Sequence, residues 1–328
     1  MVSQPEPDRS DSFADLVAAV SDNVGRVIQG KPEVIDLVVL CLVSEGHLLV
    51  EDVPGVGKTS LAKALATSID CSFGRVQFTP DLLPSDVVGV NVWNRATSTF
   101  EFRPGPVFSN IVLGDEINRA SPKTQSALLE AMAERQVTVD GVTHPLERPF
   151  MVIATQNPIE HEGTYPLPDS QLDRFLMRVS VGYPSRDAEL TILDAHGDHD
   201  ALVDLGPVIT ASQVEGMTRA VRSVHVADPL RGYLVDLANA TRRHPGVAIG
   251  MSPRATLALQ RVARALAAMR GRSYVVPDDF KELAGPVLAH RLTLSPEARL
   301  QGLTADDVVA DVLQDVPIPV ARSVAQPV

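Results

Sequence analysis

Lys58 and Thr59 close the run Gly55-Val56-Gly57-Lys58-Thr59. An ammonium and a hydroxyl at the end of a glycine turn are the groups that hold a polyphosphate and its divalent ion. Pro54 precedes the turn and Ser60 follows it, so residues 54 to 60 are expected to aim backbone N–H groups and a helix N-terminus at one anion. In that arrangement Lys58 reaches the β- and γ-phosphates of ATP and the Thr59 hydroxyl holds Mg²⁺. The strict spacing of such a loop calls for glycine at position 52, where this chain has Asp52. The loop can form with aspartate there, provided the carboxylate points away from the phosphates.

Asp115 and Glu116 follow the apolar run Ile111-Val112-Leu113. If the strands are parallel, both acids emerge at the sheet edge that carries the phosphate loop. There Asp115 can hold the metal's shell, and Glu116 can polarise a water for attack on the γ-phosphate. Asn157 ends a third apolar run and can orient that water. Arg174, in Leu172-Asp173-Arg174-Phe175, can neutralise charge in the transition state, a role worth roughly 10³ to 10⁵ in rate, or else pair with Asp173 at the surface. Arg254 opens a later helix and can report nucleotide state to it. His196 and His199, flanked by glycine and aspartate, read as a solvated loop rather than a metal site.

Positioning these groups requires strands that end where the chemistry begins. His47 to Glu51, Asn110 to Gly114, Phe150 to Ala154 and Met177 to Val181 are short apolar runs that lead into polar residues. Between them, Glu33 to Ser44 reads as helix, Leu61, Leu65 and Ile69 recur on one helix face, and Ser121-Pro122 offers a cap and a first-turn proline for the helix carrying Leu128, Leu129 and Met132. Alternating strands and helices imply a parallel sheet. Two hairpins interrupt them, Trp93 to Arg103 and Gln136 to Thr143, the second turning at Asp140-Gly141. After Gly182-Tyr183-Pro184 only helical periodicity remains, with Ser252-Pro253 opening a helix that carries Leu259, Val262, Leu266 and Met269. The organisation expected is a tail over 1–14, an α/β core over 15–184, a linker over 185–205, a helical lid over 206–316 and a tail over 317–328.

The composition fits that reading. A chain of 328 residues, 45% hydrophobic and only 4% aromatic, is long enough for two domains and suits an α/β protein with a helical partner. A formal net charge of −12 makes nucleic acid an unlikely partner. Cys41 and Cys71 read as buried small side chains. No apolar run approaches the roughly 20 residues of a membrane span, and the N-terminus has no apolar signal, so a cytoplasmic chain without membrane insertion is expected.

Taken together, the residues resemble the AAA+ superfamily and, within it, the MoxR family. The resemblance rests on Arg75 to Asp86, Asp115 to Arg119, Lys123 to Met132 and Tyr165 to Met177, and it spans roughly residues 15 to 315. It implies an AAA+ P-loop αβα sandwich with a parallel five-stranded sheet and a C-terminal all-helical lid domain, binding ATP and Mg²⁺. Lys58 and Thr59 correspond to Walker A, Asp115 and Glu116 to Walker B, Asn157 to sensor 1 and Arg254 to sensor 2. Arg174 resembles the arginine finger inserted into a neighbour's site, with Arg178 as fallback, which implies a homo-oligomer, most often a hexameric ring. The hairpins resemble the helix-2 insert and the pre-sensor-1 hairpin. MoxR-like ATPases are associated with chaperone-type maturation of a client protein complex, often beside a von Willebrand factor A domain partner. Three other readings compete: a DNA translocase, whose hairpins would need basic or aromatic residues of the kind supplied by Trp93, Arg95 and Arg103; a nucleotide-binding scaffold that switches without turnover; and a small-molecule kinase.

Overall fold

In the structure, a computed structural model that describes residues 12–157, 163–195 and 202–319, the apolar runs become one sheet. Its strands are β1 (Leu48–Glu51), β2 (Phe73–Gln77), β3 (Ile111–Asp115), β4 (Met151–Gln156) and β5 (Met177–Val179). They lie in the order β2-β3-β4-β1-β5, every neighbouring pair parallel. The apolar runs are nearly continuous because the sheet is buried on both faces. Leu48, Val50, Ile111, Leu113, Met151 and Ile153 join one apolar cluster. The residues between them, Leu49, Val112 and Val152, join a second cluster with Phe78, Leu128 and Phe175. From β1 the chain crosses to the far edge at β2 and returns strand by strand, so the carboxyl ends of β3, β4 and β1 open side by side.

Helices Phe13–Gly25, Pro32–Val43 and Lys58–Ser68 cover the first face, and Pro122–Glu134 covers the second. The Ser121 hydroxyl caps the last of these, accepting from the Thr124 N–H. This is a three-layer αβα sandwich. Beyond Arg186–Ala195, the C-terminal helices Ala211–Ser223, Asp228–Arg243, Pro253–Met269, Pro277–Leu288 and Ala305–Asp315 extend the first apolar cluster. A short antiparallel ladder, Val247–Ile249 with Thr293–Leu294, joins them and leaves no mark in the helical periodicity of this half. None of the described helices is long and apolar enough to cross a membrane. His196, His199 and most of both expected tails lie outside the described residues.

Both hairpins form. Gly89–Asn94 pairs with Thr99–Pro104, and Gln136–Val139 with Val142–Pro145. Asp140 and Gly141 both have positive φ, +50° and +81°, as the primed turn requires. The hairpins lean on each other: the Asn91 side-chain amide donates to Asp140 (2.7 Å), and Phe102 stacks on His144 with ring centroids 4.1 Å apart. Trp93 and Phe100 meet edge to face on the exposed side of the first.

His47, just ahead of β1, ties the sheet to the second layer. Its Nδ1 accepts from the Val152 N–H (3.0 Å), which leaves Nε2 to donate to the Met132 carbonyl (3.1 Å). Burial pulls its pKa down from the model-peptide value of 6.5 to about 4. The unfolded chain therefore takes up a proton first as pH falls. The stability present above pH 6.5 is expected to decline steadily toward pH 4, by on the order of 3 kcal/mol for this side chain alone. Urea unfolding across that window, with His47→Gln as the variant of shallower slope, measures the effect; a stability flat in pH would contradict it.

Candidate functional site

The loop after β1 owes its path to two glycines. Gly55 and Gly57 both have φ of +88°, a conformation that side chains rarely adopt. Gly57 caps the Lys58–Ser68 helix without supplying a side-chain acceptor, so the first-turn N–H groups have no such partner and remain available to an anion. Lys58 folds back over the loop, its Nζ donating to the Asp52 carbonyl (2.8 Å) and the Val53 carbonyl (3.2 Å). The Asp52 carboxylate turns the other way: it accepts from the Gly182 N–H (2.6 Å), the Ser180 hydroxyl (3.1 Å) and the Val53 N–H (3.1 Å). Aspartate in place of the first loop glycine thus fixes the start of the loop to the end of β5 and keeps its charge out of the cleft. Val56 packs against the first apolar cluster.

At the end of β3 one buried hydroxyl organises both acids. Thr155, on β4 and fully buried, donates to Asp115 Oδ1 (2.7 Å) and accepts from the Glu116 N–H (2.9 Å). Glu116 takes a left-handed backbone, φ +57°, where the strand turns into the Ile117–Arg119 helical turn. Its Oε2 accepts from the Gln77 side-chain amide (2.8 Å) and lies 3.3 Å from Arg119 Nε. Arg75 donates from Nη2 to Asp115 Oδ2 (2.8 Å) and to Gln77 (3.2 Å). Asn157, almost fully buried at the end of β4, completes the wall. One cleft therefore gathers Pro54, Gly55, Gly57, Lys58, Thr59 and Ser60 from the loop and Asp115, Glu116 and Asn157 from the strand ends. Among the described residues no group of three or more histidine, cysteine, aspartate or glutamate side chains gathers to hold a metal. One hydroxyl and one carboxylate suit Mg²⁺, which keeps several waters and leans on substrate phosphates.

The two arginines lie elsewhere. Arg174 and Arg254 line a second cleft, with Asp173, Arg261 and Arg291. Arg174 donates from Nη1 to the Leu129 carbonyl (2.6 Å) and is not the surface partner of Asp173. Asp173 faces the C-terminal helices instead, with Arg254 Nε at 3.9 Å and Arg291 Nε at 3.4 Å. Arg178 lies on β5, bound to Glu51 (3.0 Å) and close to Asp306 (3.6 Å). Thr155, Arg75 and Gln77 are site residues that motif reading passes over, although Arg75 and Gln77 stand inside the quoted segment that begins at Arg75.

Comparison with known proteins adds two family matches. Residues 47–177 match the ATPase family associated with various cellular activities (AAA), and residues 239–312 match the AAA lid domain. The chain is 49% identical to the YeaC protein of Bacillus subtilis over 94% of this chain and 96% of that one. It is 41% identical to chaperone MoxR1 of Mycobacterium tuberculosis over 92% of this chain and 82% of that one. A crystal structure from Cytophaga hutchinsonii, 38% identical, superimposes with a TM-score of 0.87, covering 94% of this chain and 96% of that one.

Proposed function

The chain belongs to the MoxR family of AAA+ ATPases, and on that premise we propose that it hydrolyses ATP at sites completed by neighbouring subunits of a homo-oligomeric ring, hexameric by family resemblance, to remodel or mature a client protein complex. The observation that carries this reading is the division of charged groups between two clefts. The ammonium, hydroxyl and paired acids face the first, and Arg174 and Arg254 face the second. Arginines on a different face of the chain complete a nucleotide site when the next copy docks head to tail, a contact that closes into a ring.

Lys58, the loop N–H groups and Ser60 would hold the phosphates, and Thr59 and Asp115 would hold Mg²⁺, which would supply charge neutralisation there. Glu116 polarises the attacking water, Asn157 orients it, Arg174 reaches in from the adjacent subunit, and Arg254 serves as sensor 2. Arg75 lies on Asp115 Oδ2 (2.8 Å) and shares the carboxylate that would hold the metal. Residues 15–184 are the ATPase core and 206–316 the lid. A chaperone role is supported by the name of the 41% identical relative, and a von Willebrand factor A domain partner by family resemblance.

Shared sites make activity depend on assembly. Phosphate release per chain is expected to rise with protein concentration and to level off as rings fill. Turnover per chain that stays constant through a dilution series, while sedimentation shows the oligomer dissociating, would overturn the shared site.

A further inference from the structure

The segment that carries Arg174 is held from both sides by the C-terminal helices of its own chain. Asp173 accepts from the Ser252 hydroxyl (3.3 Å), which also caps the Pro253–Met269 helix by accepting from the Ala255 N–H (3.1 Å). The Phe175 carbonyl accepts from Arg291 Nη2 (2.7 Å) and lies 3.1 Å from His290 Nε2. Upstream, the Thr293 hydroxyl donates to Asp169 (2.5 Å). Arg291 spans the gap: its Nε faces the Asp173 carboxylate and its Nη2 holds the Phe175 carbonyl, so a single planar guanidinium straddles residue 174. The end of the Arg174 side chain, by contrast, rests on the core, at the Leu129 carbonyl.

The Arg291 side chain is only 3% exposed, yet its Nη1 has no hydrogen-bond partner and its Nε has only the Asp173 ion pair at 3.4 Å. A buried guanidinium with unfilled donors is a poor way to glue two layers together, because each unpaired donor keeps its desolvation cost. The geometry suits an element whose bonding improves when the lid shifts. We propose that Arg291 is a positioning residue, coupling the lid of one subunit to the place at which that subunit presents Arg174 to its neighbour. A change in lid angle, transmitted through Arg291 and Ser252 to the residues on either side of Arg174, moves its backbone and so shifts its guanidinium relative to the Leu129 carbonyl on which it rests. The neighbouring site is thereby tuned by the lid angle of the chain that donates the arginine.

This rests on the reading of Arg174 as an arginine acting across subunits, and mixed rings separate the two claims. Chains with Lys58→Ala donate the arginine but bind no nucleotide, and chains with Arg174→Ala bind nucleotide but donate none. Rescued phosphate release from the mixture reports only sites at which the first kind serves the second. Arg291→Lys keeps the charge and loses the fork. Placed on the Lys58→Ala chain, it is expected to lower the rescued rate about 10- to 100-fold, since an ångström of misplacement costs that much. Placed on the Arg174→Ala chain, it is expected to leave the rescue within twofold. Equal losses from both placements, or none from either, would overturn the coupling while leaving the shared site standing. No rescue in confirmed mixed rings would remove both. Asp173→Asn, which weakens the same grip without changing a buried arginine, is expected to show the same asymmetry and decides the matter if Arg291→Lys melts early.

Discussion

Glu116→Gln is expected to bind ATP as the unaltered chain does and to turn it over at least about 10²-fold more slowly, the loss typical when a positioned base is removed. Binding should survive because none of its groups changes. Lys58, Thr59 and the open N–H groups of the glycine loop lie on the β1 side of the cleft, and the Glu116 backbone is fixed independently by its N–H bond to Thr155 (2.9 Å). Turnover should fail because glutamine keeps the shape and the acceptor for Gln77 but loses the charge that draws a proton from water. Titration of a fluorescent ATP analogue, run beside phosphate release, separates the two. A variant that keeps more than a third of the rate would move water activation from Glu116 to another group in the cleft. Lys58→Ala is the contrasting case, expected to fail at binding itself.

What could be read before the structure, and what could not, follows from where each residue's partners lie in sequence. The glycine loop and the acids after β3 were legible because local order alone creates them: a buried strand, a turn, a helix start. Strand β2 was not, because at the sheet edge only Gly74 and Val76 are buried while Phe73, Arg75 and Gln77 are not. Its pattern resembles a loop until β3 pairs with it, and so Arg75 and Gln77 escaped notice as neighbours of the two acids. Thr155 was hidden for the opposite reason: inside a core strand a threonine passes for an ordinary β-branched residue, and only the pairing of β3 with β4 shows that its hydroxyl serves residues about forty positions away. Asp52 posed a question of direction, and the answer lies in the Ser180 hydroxyl and the Gly182 N–H, far along the chain. Helical periodicity put Arg254 in the first turn of its helix, but the face of the molecule it reaches depends on how that helix packs beside Asp173.

Arg174→Ala is expected to lose about 10³-fold or more in turnover, the scale on which an arginine stabilises transferring phosphoryl charge, with ATP binding little changed. The rival candidate should behave differently. Arg178 is already committed within its own chain, to Glu51 at 3.0 Å and toward Asp306 at 3.6 Å, so Arg178→Ala removes an internal link between β5 and the last helix. Its expected signature is a lower melting temperature with a modest loss of rate. For Arg174 the acid next in sequence is taken up by Arg254 and Arg291, which leaves its guanidinium held by a neutral carbonyl and its charge available to another molecule's phosphates. Location then decides how the loss can be repaired. Because Arg174 faces a cleft other than its own chain's nucleotide loop, chains with Arg174→Ala should regain turnover when mixed with Lys58→Ala chains. The rescued fraction should peak at intermediate mixing ratios, where unlike neighbours are commonest. Rescue that never appears, while Arg178→Ala proves the more damaging change, would transfer the role to Arg178.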